Sequence, residues 1–172
     1  MELMDVEAAR VRLAALSRLE VHLSFRISRL CKLLDNHAIK NLKHPDLNLT
    51  DYRILLVLDI FNEASAAELS RLMVIDRAQI SRSVGALRKA EFLTERSDPG
   101  NKRRKLLSLT DKGRATLAEE EPFFTDRQNM FEDMLTREEL SGLMVAIDKL
   151  SRHLAQDLDQ PQAMPSSQGK LP

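Results

Sequence analysis

Two helix-start signals lie close together in the middle of the chain, and they limit the possible fold more than any other feature. Ser65 and Glu68 have the spacing of a capping box, in which a serine hydroxyl and a glutamate carboxylate bind the free amides of a helix start. After the short segment AAELSRLM, Asp76 is a good N-cap, with Gln79 in the third position of a weaker capping box. The sequence therefore predicts two short helices joined by a tight turn.

A basic hairpin is predicted directly after these helices. The segments FLTER and RKLLSL have the composition of β-strands, and Pro99 and Gly100 between them favour a turn with basic residues at its tip. Thr110 then caps a helix that begins DKGRATL. Two capped helices followed by a basic hairpin have the order of a winged helix-turn-helix.

Both ends of the chain are predicted to form amphipathic helices with one apolar stripe. The first lies between about Glu7 and Leu42, as one long helix or two in series, and its stripe consists of Leu13, Leu16, Leu19, Leu23, Ile27, Leu30 and Leu34. The stripe of the last helix consists of Leu140, Leu143, Met144, Ile147, Leu150 and Leu154. Each stripe needs a partner, which is either a second copy of the chain or an intramolecular bundle.

Further caps and breaks set the remaining helix boundaries. Thr50 is predicted to cap the helix that follows the loop LKHPDLN. Pro122 is predicted to kink or split the helix that starts after Thr110, because proline has no amide hydrogen. Thr136 and Glu139 form a capping box, from which the last helix is predicted to run to about Leu158.

The predicted fold is mainly α with a small β-hairpin wing, and its core is built mostly from aliphatic residues because the chain has no Trp and one Tyr. We expect one fold unit, made of a winged helix-turn-helix plus N- and C-terminal dimerisation helices. The predicted regions are N-terminal dimerisation helices (1–48), a DNA-binding region (49–115), C-terminal dimerisation helices (116–160) and a disordered tail (161–172).

Charge is distributed unevenly along the chain, although the net charge is zero. Residues 71–105 contain ten Lys and Arg against four Asp and Glu, whereas residues 115–148 contain two against nine. A concentrated basic surface suits DNA, because neutralising phosphates releases condensed counterions. Charge alone favours a solvated surface, so the interpretation as a DNA-binding surface depends on the helices and the hairpin beside it.

The second capped helix is the candidate reader of base sequence. With Ile80, Val84 and Leu87 facing inward, a set of polar and small residues faces outward: Arg77, Ala78, Gln79, Ser81 and Arg82. In the major groove a glutamine amide suits adenine, and an arginine suits guanine or phosphate. Four further residues are candidate DNA contacts, at the first helix start and in the hairpin: Ser65, Lys102, Arg103 and Arg104.

Between about Leu23 and Leu154 the sequence resembles the MarR family of transcriptional regulators. The resemblance rests on LTDYRILLVL, on AAELSRLMVIDRAQISRSVGALRKAEFLTER, and most specifically on DPGNKRRKLLSLTDKGRATL. Family members commonly have two arginines where Lys102 and Arg103 stand, followed by the pattern that Leu109, Thr110 and Gly113 match.

Two positions depart from the family pattern. Asn101 replaces a wing aspartate that often pairs with a basic residue near the recognition helix, so that brace is either weaker here or supplied by Asp98. Glu91 stands where a glycine commonly ends the recognition helix in a left-handed conformation. Neither change removes a basic residue from the predicted DNA-binding surface.

The resemblance implies a homodimer held by the terminal helices, which would bind a pseudo-palindromic operator. It also implies a repressor that is released by a small aromatic or phenolic effector bound between the dimerisation helices and the winged domain. By coarse alignment, five residues are candidates to contact that effector, although packing or surface roles are open for each of them: His22, Arg26, His37, Tyr52 and Arg53.

Other functions receive little support from the sequence. Cys31 is the only cysteine and is interpreted as a small buried side chain rather than a redox sensor. Asp35, His37, His44 and Asp46 are too irregularly spaced to predict a metal site, and no cofactor is implied. No catalytic motif is present, so we do not expect an enzyme.

The predicted location and function follow from these observations. Acidic residues stand where a signal peptide has basic ones, and no apolar run is long enough to span a bilayer, so we expect a cytoplasmic protein that does not bind membranes. The predicted function is sequence-specific regulation of transcription. The alternative is a winged-helix module that binds proteins, which would not require a basic wing.

Overall fold

The computed structural model describes residues 18–159, which form six helices and one hairpin after a short helical turn at residues 18–20. In chain order the elements are α1 (Leu23–Asn41), α2 (Leu49–Phe61), α3 (Ala66–Met73), α4 (Arg77–Lys89), β1 (Leu93–Asp98), β2 (Asn101–Leu109), α5 (Asp111–Met134) and α6 (Arg137–Asp159). The predicted fold class, mainly α with a β-hairpin wing, is confirmed. The predicted tail at residues 161–172 lies outside the described residues, as do Leu13 and Leu16.

The helical conformation is interrupted at Val21 and His22, so the described residues from 18 to the end of α1 do not form one continuous helix. His22 has an extended backbone at the start of α1, and its side chain makes no capping bond. Within α1 only Ala38 is buried. The prediction that Cys31 is buried is wrong, because α1 leaves this side chain exposed.

Asn48, not Thr50, caps α2, so that prediction is wrong. The Asn48 side-chain oxygen accepts the Asp51 amide at 3.0 Å, and the Asp51 carboxylate accepts the Asn48 amide at 3.3 Å. This reciprocal pair is a complete capping box. Thr50 therefore lies in the first turn of α2, where its hydroxyl is available to another partner.

The two caps of the helix-turn-helix lie where the sequence predicts them. The Ser65 hydroxyl accepts the Glu68 amide, and the Glu68 carboxylate accepts the Ser65 amide at 2.8 Å. Asp76 accepts the amides of Ala78 at 2.8 Å and Gln79 at 3.2 Å. The second box is not reciprocal, because the Gln79 side chain donates instead to Thr50 Oγ1 at 3.2 Å.

An aliphatic core fixes α3 and α4 against α2 and the hairpin. Apolar side chains from each of these elements are fully or almost fully buried: Ile54, Leu55, Leu58, Leu69, Ile80, Leu87, Phe92 and Leu107. Burial of each such side chain contributes about 1.5–3 kcal/mol, so this cluster determines the position of α4. The inward orientation predicted for Ile80, Val84 and Leu87 is confirmed.

The hairpin pairs β1 with β2 in antiparallel register from Leu93 opposite Leu109 to Asp98 opposite Asn101. Ala64 forms an additional bridge to Leu107, with amide-to-carbonyl distances of 3.1 and 2.9 Å. This bridge connects the base of the wing to the residue that precedes the first cap of the helix-turn-helix. The wing is thereby joined to α3 as well as to α4.

The C-terminus of α4 has the geometry of a glycine-type cap without a glycine. Glu91 adopts a left-handed conformation with φ of 64°. Its amide donates to Arg88 at 3.0 Å, and the Phe92 amide donates to the Leu87 carbonyl at 2.9 Å, which is a Schellman pattern. The buried pair Leu87 and Phe92 secures this turn despite the left-handed strain, which for a residue other than glycine costs about 1–2 kcal/mol.

The predicted cap at Thr110 is present and lies against the end of α4. Its hydroxyl accepts the Gly113 amide at 3.0 Å and donates to the Glu91 carbonyl at 2.7 Å. Gly113 packs so closely on Phe92 that a Cβ atom would overlap the Phe92 carbonyl oxygen and lie 3.1 Å from the carbonyl carbon. The start of α5 can approach this turn only because residue 113 has no side chain.

A buried carboxylate from α5 anchors the loop between α1 and α2. Glu120 is fully buried, and its Oε1 accepts the amides of Lys43 at 3.0 Å and His44 at 2.8 Å. The Lys43 ammonium group also donates to the Glu119 carbonyl at 2.9 Å. Hydrogen bonds to a charged acceptor are stronger than neutral ones, so Glu120 holds this loop firmly.

The chain comprises two compact units, one ending at Phe124 and the other beginning at Thr125. The boundary falls within α5, which continues through Pro122, so of the predicted kink or split at this residue the split is wrong. In a 24-residue helix one missing amide hydrogen bond is tolerated. The predicted capping box of Thr136 and Glu139 opens α6, with the Thr136 amide 2.9 Å from the carboxylate.

The predicted apolar stripes of α1 and α6 are largely exposed within the chain. Side chains of both are more than a third accessible: Leu23, Ile27, Leu30, Leu143, Met144, Ile147, Leu150 and Leu154. Large contiguous apolar faces of this kind are unusual on monomeric proteins.

We predict that Gly113→Ala destabilises the fold by about 2 kcal/mol or more, because the added methyl group meets rigid backbone rather than a movable side chain. The measurement is denaturant unfolding of the full chain. Gly142→Ala is the matched control, because a Cβ atom at residue 142 has nothing within 4 Å. This substitution therefore only replaces a helix-interior glycine by alanine. A Gly113→Ala protein as stable as the wild type would contradict the prediction.

Candidate nucleic-acid interface

The outer face of α4 carries the predicted recognition residues. Arg77, Ala78, Gln79, Ser81 and Arg82 are all exposed, whereas Ile80 on the opposite side is completely buried. The caps and core described above therefore present one polar helical face to solvent. Such a face on a protruding helix can enter the major groove, where base edges present distinct donor and acceptor patterns.

Gln79 is not free on this face, because its amide is held by the first turn of α2. The side-chain nitrogen donates to Thr50 Oγ1 at 3.2 Å. This leaves the amide oxygen and the second amide N–H of Gln79 with unused hydrogen-bonding capacity. From the sequence, Thr50 is predicted to cap α2 and Gln79 to contact DNA, so their contact is not predicted. It becomes visible only when Asn48 is recognised as the cap of α2.

The tip of the hairpin carries two exposed basic side chains. Lys102 and Arg103 form no ion pair with any residue in the described part of the chain. Local side-chain bonds shape the tip, because Asp98 accepts the Gly100 amide at 2.8 Å and Asn101 accepts the Arg103 amide at 3.1 Å. The tip is thus a formed turn that presents unneutralised positive charge.

Arg104 lies in β2, three residues after Asn101 at the tip of the hairpin, and joins the wing to α3. Its guanidinium group is 2.7 Å from Glu68 and 3.4 Å from Asp98. Because Asn101 replaces the aspartate that commonly braces the wing, the sequence suggested Asp98 as a substitute, with a weaker brace as the other alternative. Asp98 does form an ion pair, but its partner is Arg104 of the wing itself. Of the three basic candidates in the hairpin, Arg104 is the one already engaged by carboxylates.

The carboxylate of Glu68 connects this pair to the cap of α3. Hydrogen bonds from the Ser65 backbone amide, the Ser65 hydroxyl and Arg104 lower the pKa of Glu68 from 4.5 to about 2. Ser65 is buried and its hydroxyl is used in the cap. The geometry therefore gives Ser65 a capping role and does not present its side chain to a ligand.

Two other basic residues near the wing are neutralised by neighbouring acids. Arg88 of α4 lies 2.9 Å from Glu95, and Arg96 of β1 donates to Glu63 at 2.7 Å. The Arg96 guanidinium group lowers the pKa of Glu63. Pairing concentrates the unneutralised positive charge on the outer face of α4 and the wing tip.

A cavity of about 610 Å³ separates α1 from the start of α2 and from α4. Its lining combines charged, polar and apolar side chains: Asp35, Ile39, Asn48, Leu49, Thr50, Asp51, Arg53, Gln79, Arg82, Ser83 and Ala86. Arg53 pairs with Asp35 at 2.7 Å, and Arg82 has no ion-pair partner among residues 18–159. The buried Asp51 Oδ1 atom likewise has no hydrogen-bond partner in this part of the chain.

Only Arg53 of the five predicted effector residues lines this cavity. Tyr52 is buried and stacks on Phe124 with ring centroids 3.9 Å apart. His37 is exposed beside Phe123, at a centroid distance of 5.4 Å. The structure therefore does not bring these three side chains together around one space.

The other two effector candidates lie near the start of α1. His22 is exposed at the N-cap position, and Arg26 lines a separate small cavity of about 130 Å³ with Phe25 and Leu30. Sequence reasoning missed Asp51 as a cavity residue. Asp51 lies three residues after Asn48, which is the spacing of a capping box. This spacing could have predicted that Asn48 caps α2.

Residues 18–159 contain no group of three or more side chains suited to hold a metal ion. Asp35, from the weak cluster noted in the sequence, is paired with Arg53 instead. None of the described helices is long and apolar enough to cross a membrane.

The fold and the exposed basic face define a winged helix-turn-helix protein. Residues 46–104 match the family model described as the MarR family, so the predicted family relationship is confirmed over the helix-turn-helix and most of the wing. A search of curated proteins found no match.

Several solved structures share the fold. A mutant of Escherichia coli MarR in complex with operator DNA has 19% identity and a TM-score of 0.67, over 74% of this chain and 92% of that one. The PcaV transcriptional regulator from Streptomyces coelicolor with its natural ligand has 19% identity and a TM-score of 0.68, over 88% and 98%. Bordetella bronchiseptica BpsR, whose DNA binding is regulated by 6-hydroxynicotinic acid, has 21% identity and a TM-score of 0.61, over 73% and 98%. No enzyme family is indicated.

We predict that Glu68→Gln destabilises the protein by about 1 kcal/mol at neutral pH, because it weakens a helix cap and removes the charge opposite Arg104. The pKa of Glu68 is lowered in the folded state, so its stabilisation is complete above pH 4.5 and is lost as the pH falls toward 2. Denaturant unfolding of both proteins between pH 7 and pH 2.5 should show the difference shrinking with acidity. A difference that is constant across this range would contradict the assignment.

Proposed function

We propose that this protein is a sequence-specific, DNA-binding transcriptional regulator, without a catalytic role, that inserts α4 into the major groove. The observation that carries the proposal is the concentration of unpaired positive charge on the outer face of α4 and the wing tip, at Arg77, Arg82, Lys102 and Arg103. The solved complex of E. coli MarR with operator DNA supports this use of the fold.

The two parts of the surface have different tasks in this proposal. Gln79, Ser81 and either arginine of α4 read base edges, while Lys102 and Arg103 contact phosphates or the minor groove beside them. Arg104 holds the wing against α3 through Glu68. In this proposal it thereby fixes the position of the wing tip relative to the outer face of α4. Gln79 can keep its hydrogen bond to Thr50 and offer its amide oxygen and second N–H to a base. Alternatively, it can replace the bond to Thr50 with a hydrogen bond to a base.

We propose that the protein acts as a homodimer joined by its terminal helices. The exposed apolar stripes of α1 and α6 support this, because their burial against a second copy removes a large apolar surface from water. A twofold dimer presents two α4 helices and favours a pseudo-palindromic operator. Sedimentation of the full chain at tens of micromolar tests this part, and a monomer would contradict it.

We further propose that the protein is a repressor and that its effector binds in the 610 Å³ cavity. Gln79 and Arg82 belong to both the cavity lining and the outer face of α4, so a ligand there would engage residues needed for DNA. Apolar walls at Ile39 and Leu49 with the unpaired Arg82 suit a small aromatic or phenolic acid. The regulation of BpsR by 6-hydroxynicotinic acid and the complex of PcaV with its natural ligand support a small-molecule effector.

A second candidate function is a winged-helix module that binds proteins. A depression of about 440 Å³ next to Phe61 and Leu72, whose lining also includes Glu63, Glu68 and Arg71, favours it. The Phe61 and Leu72 side chains are both more than half exposed. The unneutralised wing tip favours DNA instead, and salt-sensitive DNA binding separates the two functions.

We predict that Gln79→Ala and Arg103→Ala weaken DNA binding in different ways. Loss of a bidentate base contact at Gln79 should lower the ratio of specific to non-specific affinity by about 1–3 kcal/mol. Arg103→Ala should weaken all sequences and make the salt slope shallower by about one unit, or nearly two if both subunits of a dimer contribute. Gel-shift titration with the promoter region beside the gene, at several salt concentrations, measures both effects.

Glu95→Gln is the matched control, because Glu95 is a charged hairpin residue paired with Arg88 away from the tip. Its salt slope should not become shallower. Wild-type protein without any salt-sensitive DNA binding would overturn the proposed function and favour the protein-binding module.

We predict that filling the cavity uncouples effector and DNA. In the wild type, 4-hydroxybenzoate as the probe should lower operator affinity, and by reciprocity operator DNA should lower affinity for the probe by the same factor. Ile39→Trp occupies the cavity from α1 without altering α4, so it should abolish the response and keep DNA affinity within about twofold. A probe response that persists in Ile39→Trp would place the effector elsewhere.

A further inference from the structure

Gly85 lies in the interior of α4, where glycine is less favourable than other residues. Its backbone has ordinary helical geometry, since no glycine in the described residues has positive φ. A glycine within a helix costs about 1 kcal/mol relative to alanine, because it loses more backbone freedom on folding. The chain thus carries a less stable residue in the helix that the proposed function uses for reading DNA.

No contact within the described part of the chain explains this glycine. A Cβ atom built on Gly85 has no atom within 4 Å. Gly113 behaves differently, since a Cβ there would overlap the Phe92 carbonyl group. The folded chain itself therefore does not require an absent side chain at residue 85.

Gly85 lies on the outer face of α4, among the predicted recognition residues. It is exposed and lies one helical turn beyond Ser81 and Arg82, on the side of α4 away from the buried Ile80 and Leu87. Arg82 beside it is unpaired within residues 18–159 and carries the positive charge that a phosphate backbone attracts. Both observations direct this part of the helix toward duplex DNA.

We propose that Gly85 is the point at which the backbone of α4 comes closest to DNA. This inference rests on the proposed function and adds a positioning residue to it. Without a Cβ, the middle of the helix can lie directly against the wall or floor of the groove. The side chains of Ser81 and Arg82, one turn earlier, then reach deeper than they could if a methyl group held the helix away.

The proposal requires opposite effects on folding and on binding. Gly85→Ala should raise the melting temperature, as the second open helix glycine should when changed in Gly142→Ala. The same Gly85→Ala protein should bind operator DNA about tenfold more weakly, because the added methyl group overpacks the interface. Gly85→Leu should lose more affinity still, since its side chain is larger.

The experiment combines thermal unfolding with gel-shift titration of the full chain on the promoter region beside the gene. Higher stability with weaker DNA binding in Gly85→Ala supports the proposal, and a merely structural role cannot produce that combination. Wild-type affinity in Gly85→Ala, measured with a wild type that binds DNA, overturns this inference alone. A wild type that binds no DNA overturns the proposed function and this inference together.

Discussion

The shared carboxylate of Glu68 is the interaction on which the arrangement of the DNA-binding surface depends. It closes the cap of α3 through Ser65 and receives the guanidinium group of Arg104 from the wing. One ionised group thus starts a helix of the helix-turn-helix and positions the hairpin beside it. The low pKa of Glu68, about 2, reflects these partners and keeps the group charged throughout the physiological range.

Local signals allowed most of the winged region to be predicted from the sequence. The caps at Ser65, Asp76 and Thr110, and the hairpin turn at Pro99 and Gly100, depend on residues within three or four positions of each other. The core face of α4 follows from helical periodicity alone. These features are therefore visible without knowledge of the tertiary structure.

Two kinds of prediction failed: those on individual residues that were wrong, and the set of effector residues that the structure does not bring together. Both depend on tertiary placement or on a choice between similar caps. Thr50 and Asn48 are both good N-caps, and the asparagine prevails because Asp51 completes a reciprocal box with it. Cys31 is exposed because α1 buries only Ala38 within the chain, which helical periodicity does not report. The cavity combines α1, α2 and α4, so only the three-dimensional structure could group its residues.

The buried Glu120 has a consequence for motion. Because it binds two successive amides of the loop after α1, that loop cannot act as a free hinge between α1 and α2 without leaving a charge buried and unsatisfied. A displacement at the C-terminal end of α1 must therefore either carry this part of α5 with it or break these hydrogen bonds.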